Sequence, residues 1–209
     1  MKKIKILTVI LPIILFILLA IYVQAGTTTI LEESFYFELV EHKTETIVSI
    51  MKIISHIGGT ISVFCLCLGL FIFNKTRIKY AIPISLTVIW SVVINLFLKN
   101  IFARERPDIL QLIQETNYSF PSGHSMTNAA LYTMAIMLVN HYIKNKKTKY
   151  SLCIAFSLIP ILIGISRIYL GVHYLGDVVG GFLLGISIAI IIYFIWKKVY
   201  IDKKEKSII

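Results

Sequence analysis

His173 and Asp177 stand four residues apart where an apolar run begins, on one face if helix has started there. An imidazole with one ring nitrogen held by a carboxylate and the other free can act as a nucleophile. A second imidazole, His124, lies in the heptapeptide F-P-S-G-H-S-M, Phe120 to Met126. Pro121 and Gly123 break the preceding conformation, and Ser122 suits the cap of a helix that reads from Thr127 to His141. Free backbone N–H groups at such a start, beside an imidazole, make an anion site with a titratable group in it. Alone, the heptapeptide reads equally as an ordinary helix start. Lys99 and Arg106, seven residues apart, share a face if the helix carrying Lys99 continues, and Arg167 closes another apolar run.

These groups need elements to carry them. Of 209 residues 57% are hydrophobic, in runs too long for a water-soluble domain, so an integral membrane protein is expected. Six spans can be drawn: roughly Ile4 to Val23, Ile54 to Phe73, Ala81 to Leu98, Ser125 to Tyr142, Ser151 to Ile168 and Leu175 to Trp196. Each is near the roughly 17 to 25 residues that cross a hydrocarbon core. The alternation of a β-barrel is absent, so the predicted fold is all-α, a polytopic six-transmembrane-helix bundle forming one integral membrane domain over residues 1–209. The first run follows M-K-K-I-K and has a weak cleavage candidate at Val23-Gln24-Ala25, but its length favours a membrane anchor over a secretory signal. Pro83 and Pro160 are predicted to bend or interrupt helices. Gly176, Gly180, Gly181 and Gly185 permit close helix contact. Cys65, Cys67 and Cys153 lie in apolar segments without metal or redox spacing and read as small hydrophobes.

The net charge of +10 finds its explanation in topology instead of nucleic acid. Fifteen of the 21 basic residues fall in alternate connections and the two tails: Lys2, Lys3, Lys5, then Lys75, Arg77, Lys79, then Lys144, Lys146, Lys147, Lys149, then Lys197, Lys198, Lys203, Lys204 and Lys206. The positive-inside rule puts both termini in the cytoplasm. The other connections hold nine of the eleven acidic residues. Among them, Thr27 to Ser55 is too polar to cross; it is either an interfacial helix on the outer leaflet or a cover for the bundle, and neither reading assigns it chemistry.

With this topology Lys99, Arg106, His124, Arg167, His173 and Asp177 meet at the outer end of the bundle, the composition of a phosphate site. Lys99, Arg106 and Arg167 can neutralise the oxygens of a phosphoryl group in transfer, with donors added by the amides near Ser122 and Gly123. His173 is the expected nucleophile and Asp177 its support, while His124 protonates the leaving oxygen and later activates water. Asp177 is the only carboxylate at the focus, whereas a two-metal site needs an acidic cluster, so no metal and no cofactor are expected. Of the other histidines, His56 reads as packing or interfacial, His141 as cytoplasmic and His42 as a loop residue.

Three segments carry a resemblance: Lys99 followed by Arg106-Pro107, then Pro121-Ser122-Gly123-His124, then Ser166-Arg167 followed by His173 and Asp177. In this order they resemble the signature of the type 2 phosphatidic acid phosphatase (PAP2) family, the lipid phosphatase and haloperoxidase superfamily, over a core of about residues 57–194. The layout is similar to that of small six-helix bacterial members acting on phosphatidylglycerol phosphate and undecaprenyl pyrophosphate. The resemblance implies metal-independent hydrolysis of a phosphorylated membrane lipid on the outer side of the cytoplasmic membrane. It also implies phosphate binding by Lys99, Arg106, Ser122, Gly123 and Arg167, with His124, His173 and Asp177 catalytic. Undecaprenyl pyrophosphate is the expected substrate, with phosphatidylglycerol phosphate or phosphatidic acid as alternatives. Haloperoxidase activity is disfavoured because those relatives are soluble. A transporter or channel is the reading from another class, against which the charges gather at one end, with Asn95 the notable polar residue within a span. The bilayer is the expected surrounding, and no nucleic acid or obligate protein partner is inferred.

Overall fold

The computed structural model describes residues 2–108 and 111–203, which form helices and their connections, with no strand among the described residues. In chain order the helices are α1 (Lys2–Gln24), α2 (Thr29–Val40), α3 (Glu45–Ile57), α4 (Thr60–Ile72), the single turn α5 (Asn74–Thr76), α6 (Ile82–Phe102), α7 (Gly123–Tyr142), α8 (Lys146–Tyr169) and α9 (Leu175–Trp196). A π-helical turn, Arg77–Ala81, leads into α6, and another, Lys197–Ile201, follows α9. Local chemistry sets several starts. Thr44 accepts from the Ile47 N–H at 3.3 Å, Ser122 from that of Ser125 at 3.4 Å, and Asn145 from that of Thr148 at 3.0 Å, each satisfying a helix-start donor. Pro83 sits in the first turn of α6, where no N–H is needed, while α8 continues through Pro160.

α7 is the central helix, packed against α6, α8 and α9, with α1 outside α9 and α3 outside α8. The α7–α9 approach depends on glycine. A Cβ at Gly181 would stand 2.7 Å from the Ser122 carbonyl oxygen, so α9 can lie against the start of α7 only without one. Apolar side chains point outward from the bundle, among them Ile14 and Leu18 on α1, Trp90 and Phe97 on α6, and Ile154 and Leu158 on α8. Such a belt is stable against lipid and not against water.

Four helical stretches are long and apolar enough to cross a membrane: Leu7–Gln24, Arg77–Phe102, Lys146–Tyr169 and Leu175–Ile201; α3 and α4 make a fifth if the bent pair is one span. Two of the six predicted spans therefore differ. The predicted Ile54 to Phe73 span is broken, because helix already begins at Glu45 and the chain turns 45° between Ile57 and Thr60. A side chain at Gly58 would meet Ile163 at 2.6 Å, so the elbow needs a residue without one. The predicted Ser125 to Tyr142 span exists as α7, but its buried Ser125 and Asn128 leave it too polar to pass by composition. It faces protein on its buried side, and its polarity serves the site. Lys204 and Lys206, counted for the topology, lie outside the described residues.

Candidate active site

His173 lies in the connection between α8 and α9, two residues before the first residue of α9. Its Nδ1 is 3.3 Å from Asp177 Oδ2, on the first turn of α9, and its Nε2 is 3.4 Å from an Arg106 terminal nitrogen. The same Asp177 oxygen accepts from the Tyr174 N–H at 2.9 Å and from the Ser119 hydroxyl. Burial pushes the His173 pKa down to about 4, with Arg167 and Arg106 adding to the effect and Asp177 opposing it. The imidazole is thus neutral at neutral pH, with one nitrogen held from behind and the other toward the cations.

The helix carrying Lys99 does not continue to Arg106, so the two do not share a helix face. Instead α6 ends at Phe102, and Ala103 takes a left-handed conformation, φ 43°, at a cost of roughly 1 to 2 kcal/mol for an L-residue. Arg106 therefore reaches the site from a loop, donating to Val172 O and Asn117 O at 2.6 Å each. Lys99, buried at the last turn of α6, donates to Tyr118 O. Arg167, on the last turn of α8, is 2% exposed and donates to Ser55 Oγ at 2.7 Å. Its other terminal nitrogen pairs with Glu115, whose second oxygen is 3.7 Å from Arg106. Burial alone would raise the Glu115 carboxyl, but the two guanidiniums outweigh it and hold the group below the usual carboxylate range.

His124 occupies the first turn of α7 beside the α3–α4 elbow, where a Cβ at Gly59 would stand 3.7 Å from its Nε2. Asn128 ties these elements together, donating at 2.8 Å to both Gly58 O and His124 O. Asn95 clamps the preceding loop by donating to Pro121 O at 2.9 Å, and its side-chain oxygen lies against Gly123 where a Cβ would be. Phe120 anchors the same loop, stacked on Phe16 with centroids 5.6 Å apart and edge-on to Phe102 at 5.0 Å. Ser122 differs from expectation: its N–H donates to Asp177 O at 2.9 Å, its hydroxyl caps α7, and it does not line the cavity.

That cavity, of about 640 Å³, joins two environments. Its polar end is lined by Lys99, Arg106, Gly123, His124, Arg167 and His173. The rest runs between α4 and α6 past apolar residues such as Phe64, Phe71, Val88 and Val92.

The family model described as the PAP2 superfamily matches residues 80–200, more than half of the chain. The chain belongs to the PAP2 superfamily. It is 47% identical over 94 residues to phosphatidylglycerophosphatase B of Bacillus subtilis (strain 168), covering 44% of this chain and 46% of the relative, so it spans about half of that protein's length. It is 29% identical over 182 residues to the undecaprenyl-diphosphatase of Sulfolobus acidocaldarius, covering 83% of this chain and 84% of the relative. Among solved structures it is similar to the transmembrane PAP2-type phosphatidylglycerolphosphate phosphatase from Bacillus subtilis. That match has a TM-score of 0.84 and 30% identity over 92% of this chain and 98% of the other.

The PAP2 signature leaves two groups unmentioned. Arg104 donates to Asp177 Oδ1 at 2.6 Å, on the side away from His173, and to Glu32 Oε2 at 2.6 Å. Glu32 is 5% exposed and also accepts from the Gly176 N–H at 2.8 Å. The segment from Thr27 to Ser55, to which the sequence assigned no chemistry, thus delivers a buried carboxylate to the back of the site. Its aromatic Tyr36 packs on Ile168 and Val178, covering the bundle. A lone Arg two residues before Arg106 was the available signal for one partner; a contact across 72 positions left none for the other.

Proposed function

We propose that this chain hydrolyses the phosphate headgroup of a membrane lipid through a phosphohistidine, without a metal. The observation that carries the reading is the cavity itself, with two histidines and three cations at one end and an apolar slot at the other. The lipid's phosphate enters the polar end while its tail stays between α4 and α6. His173 Nε2 attacks phosphorus, Asp177 holds Nδ1, and the charge developing on the phosphoryl oxygens is met by Lys99, Arg106, Arg167 and the Gly123 amide. Ser122 contributes by fixing the start of α7. Burial, with Arg167 and His173 nearby, pushes the His124 pKa down. His124 therefore takes up its proton when the negative phosphate group binds beside it and gives it to the departing oxygen. It then takes one from a water that attacks phosphorus and breaks the phosphorus–nitrogen bond, freeing His173. The described residues contain no group of three or more His, Cys, Asp or Glu arranged to hold a metal ion, which supports assigning the charge work to the fixed cations.

For the substrate, phosphatidylglycerol phosphate takes precedence over the expected undecaprenyl pyrophosphate. The similarity to phosphatidylglycerophosphatase B and the structural likeness to the Bacillus subtilis phosphatase both support it. Undecaprenyl pyrophosphate remains the second reading, supported by the Sulfolobus relative. The remaining architecture follows the sequence reading: one domain over residues 1–209 with its phosphatase core at about 57–194, six crossings with α7 and the α3–α4 pair included, both termini cytoplasmic and the site facing outward. Phosphate release from a panel of these lipids, with and without EDTA, tests the activity, its metal independence and the order of substrates. Headgroup-labelled lipid moving across proteoliposomes without phosphate release would instead support transport.

A further inference from the structure

Asp177 is held from two sides. One oxygen faces His173, Ser119 and the Tyr174 amide; the other takes Arg104, which itself takes Glu32. Arg104 lies over the Tyr174 ring with its guanidinium carbon 4.0 Å from the centroid, so the ring and two carboxylates all contact it. The three ion-pair members come from separate parts of the chain: Glu32 from α2, Arg104 from the loop after α6, and Asp177 from α9. All are largely buried, with side-chain exposures of 5%, 11% and 0%. A buried ion triad costs desolvation and is a weak source of stability, whereas this one ends on the support of the nucleophile.

We propose that Glu32 and Arg104 are positioning residues for His173, acting through Asp177. This rests on the phosphohistidine reading above. Arg104 fixes the direction of the Asp177 carboxylate and offsets part of its charge; Glu32 fixes Arg104 and offsets part of that charge in turn. The basicity of His173 is therefore set by an alternating chain in which each member moderates the next. The other charged or titratable groups facing His173 are Arg106 and Glu115 from the 103–122 connection, Arg167 from α8, His124 from α7 and Lys99 from α6. Neither Glu32 nor Arg104 lines the cavity, so both act without touching phosphate.

The alternation gives opposite signs for two substitutions. R104M exposes His173 to the undiminished Asp177 charge and raises its basicity. E32Q leaves Arg104 less compensated and lowers it. In full-length protein with labelled imidazole nitrogens, His173 assigned by comparison with H173Q, R104M should titrate higher than the parent by about 1 pH unit. E32Q should titrate at or below the parent. The acidic limb of kcat/KM for lipid phosphate release should move the same way, with a rate loss at neutral pH of at least about tenfold for R104M. R104K keeps the charge on a single nitrogen without the planar fork and should hold the parental limb while losing rate, which also carries the test if R104M does not fold. Titrations of R104M and E32Q that coincide with the parent, or shift together in one direction, overturn the proposal. A parent protein that releases no phosphate from any lipid overturns the enzymatic reading instead, and the imidazole titration still decides the coupling.

Discussion

Arg167 and Glu115 face one another across the polar end of the cavity, with the guanidinium of Arg167 bonded to the Glu115 carboxylate on one side and to Ser55 on the other. Its Nε has no hydrogen-bond partner among the described residues. A phosphoryl group reaching this guanidinium competes with the carboxylate for it. Replacing Glu115 by Gln keeps the shape and removes the competing charge, so KM for lipid phosphate should fall by roughly three- to tenfold, about the net worth of one ordinary hydrogen bond. Orthovanadate inhibition should tighten in parallel, and a KM unchanged or raised would assign Glu115 to supporting Arg167 alone.

His173→Ala removes the acceptor of the phosphoryl group. Turnover should drop by at least about a thousandfold, and an alkaline quench should trap no phosphoenzyme where the parent gives one that acid then cleaves. In the parent, the neutral imidazole is the reactive form and its pKa is held near 4. The sign follows: activity dependent on His173 is present above that value and lost as pH falls through it. A limb in kcat/KM near 6.5, unmoved by E32Q and R104M, would belong to another group or to the substrate.

His124→Ala should discriminate between leaving groups. With an alkoxide-leaving lipid the loss should be roughly 100- to 10,000-fold, the usual range for general acid catalysis. With p-nitrophenyl phosphate, whose anion departs without a proton, the phosphorylation step should lose much less. Equal losses in single-turnover phosphorylation would remove the acid role and leave His124 as a binding group.

Val92 lines the apolar slot on α6, and Val92→Trp should fill part of it. KM for a long-chain lipid phosphate should rise at least about fivefold, while a short-chain water-soluble analogue keeps its kinetics. Loss with both substrates would mean that the bulk disturbs the phosphate end, a result checked against thermal stability in detergent.

The parts legible in the sequence are those that local chemistry dictates. Ser122 capping α7, Asp177 one turn beyond His173, and the glycines that let α9 approach α7 follow from spacing and residue type alone. Arg106 lines the cavity from a loop and not from a helix continued past Lys99, because the left-handed Ala103 that turns the chain carries no compositional mark. Thr27 to Ser55 hid both a helix that runs into the predicted second span and the carboxylate behind Asp177. Glu32 reads like any polar-face glutamate until a fold brings Arg104 to it, since burial and long-range pairing have no period for a sequence to display. α7 was foreseen as an ordinary crossing, although its polar Asn128 is what joins the elbow to the histidine turn.

Val63 and Cys67, midway along α4, are buried in one apolar cluster with Ile84 of α6 and Leu131 and Met134 of α7, while Phe64, Leu68 and Phe71 of the same helix line the slot. One helix thus has a moored edge and an open edge. Substitutions on the open edge alter the bore of the slot and leave the mooring intact, so the width of the channel and the cohesion of the bundle are separable position by position along thirteen residues.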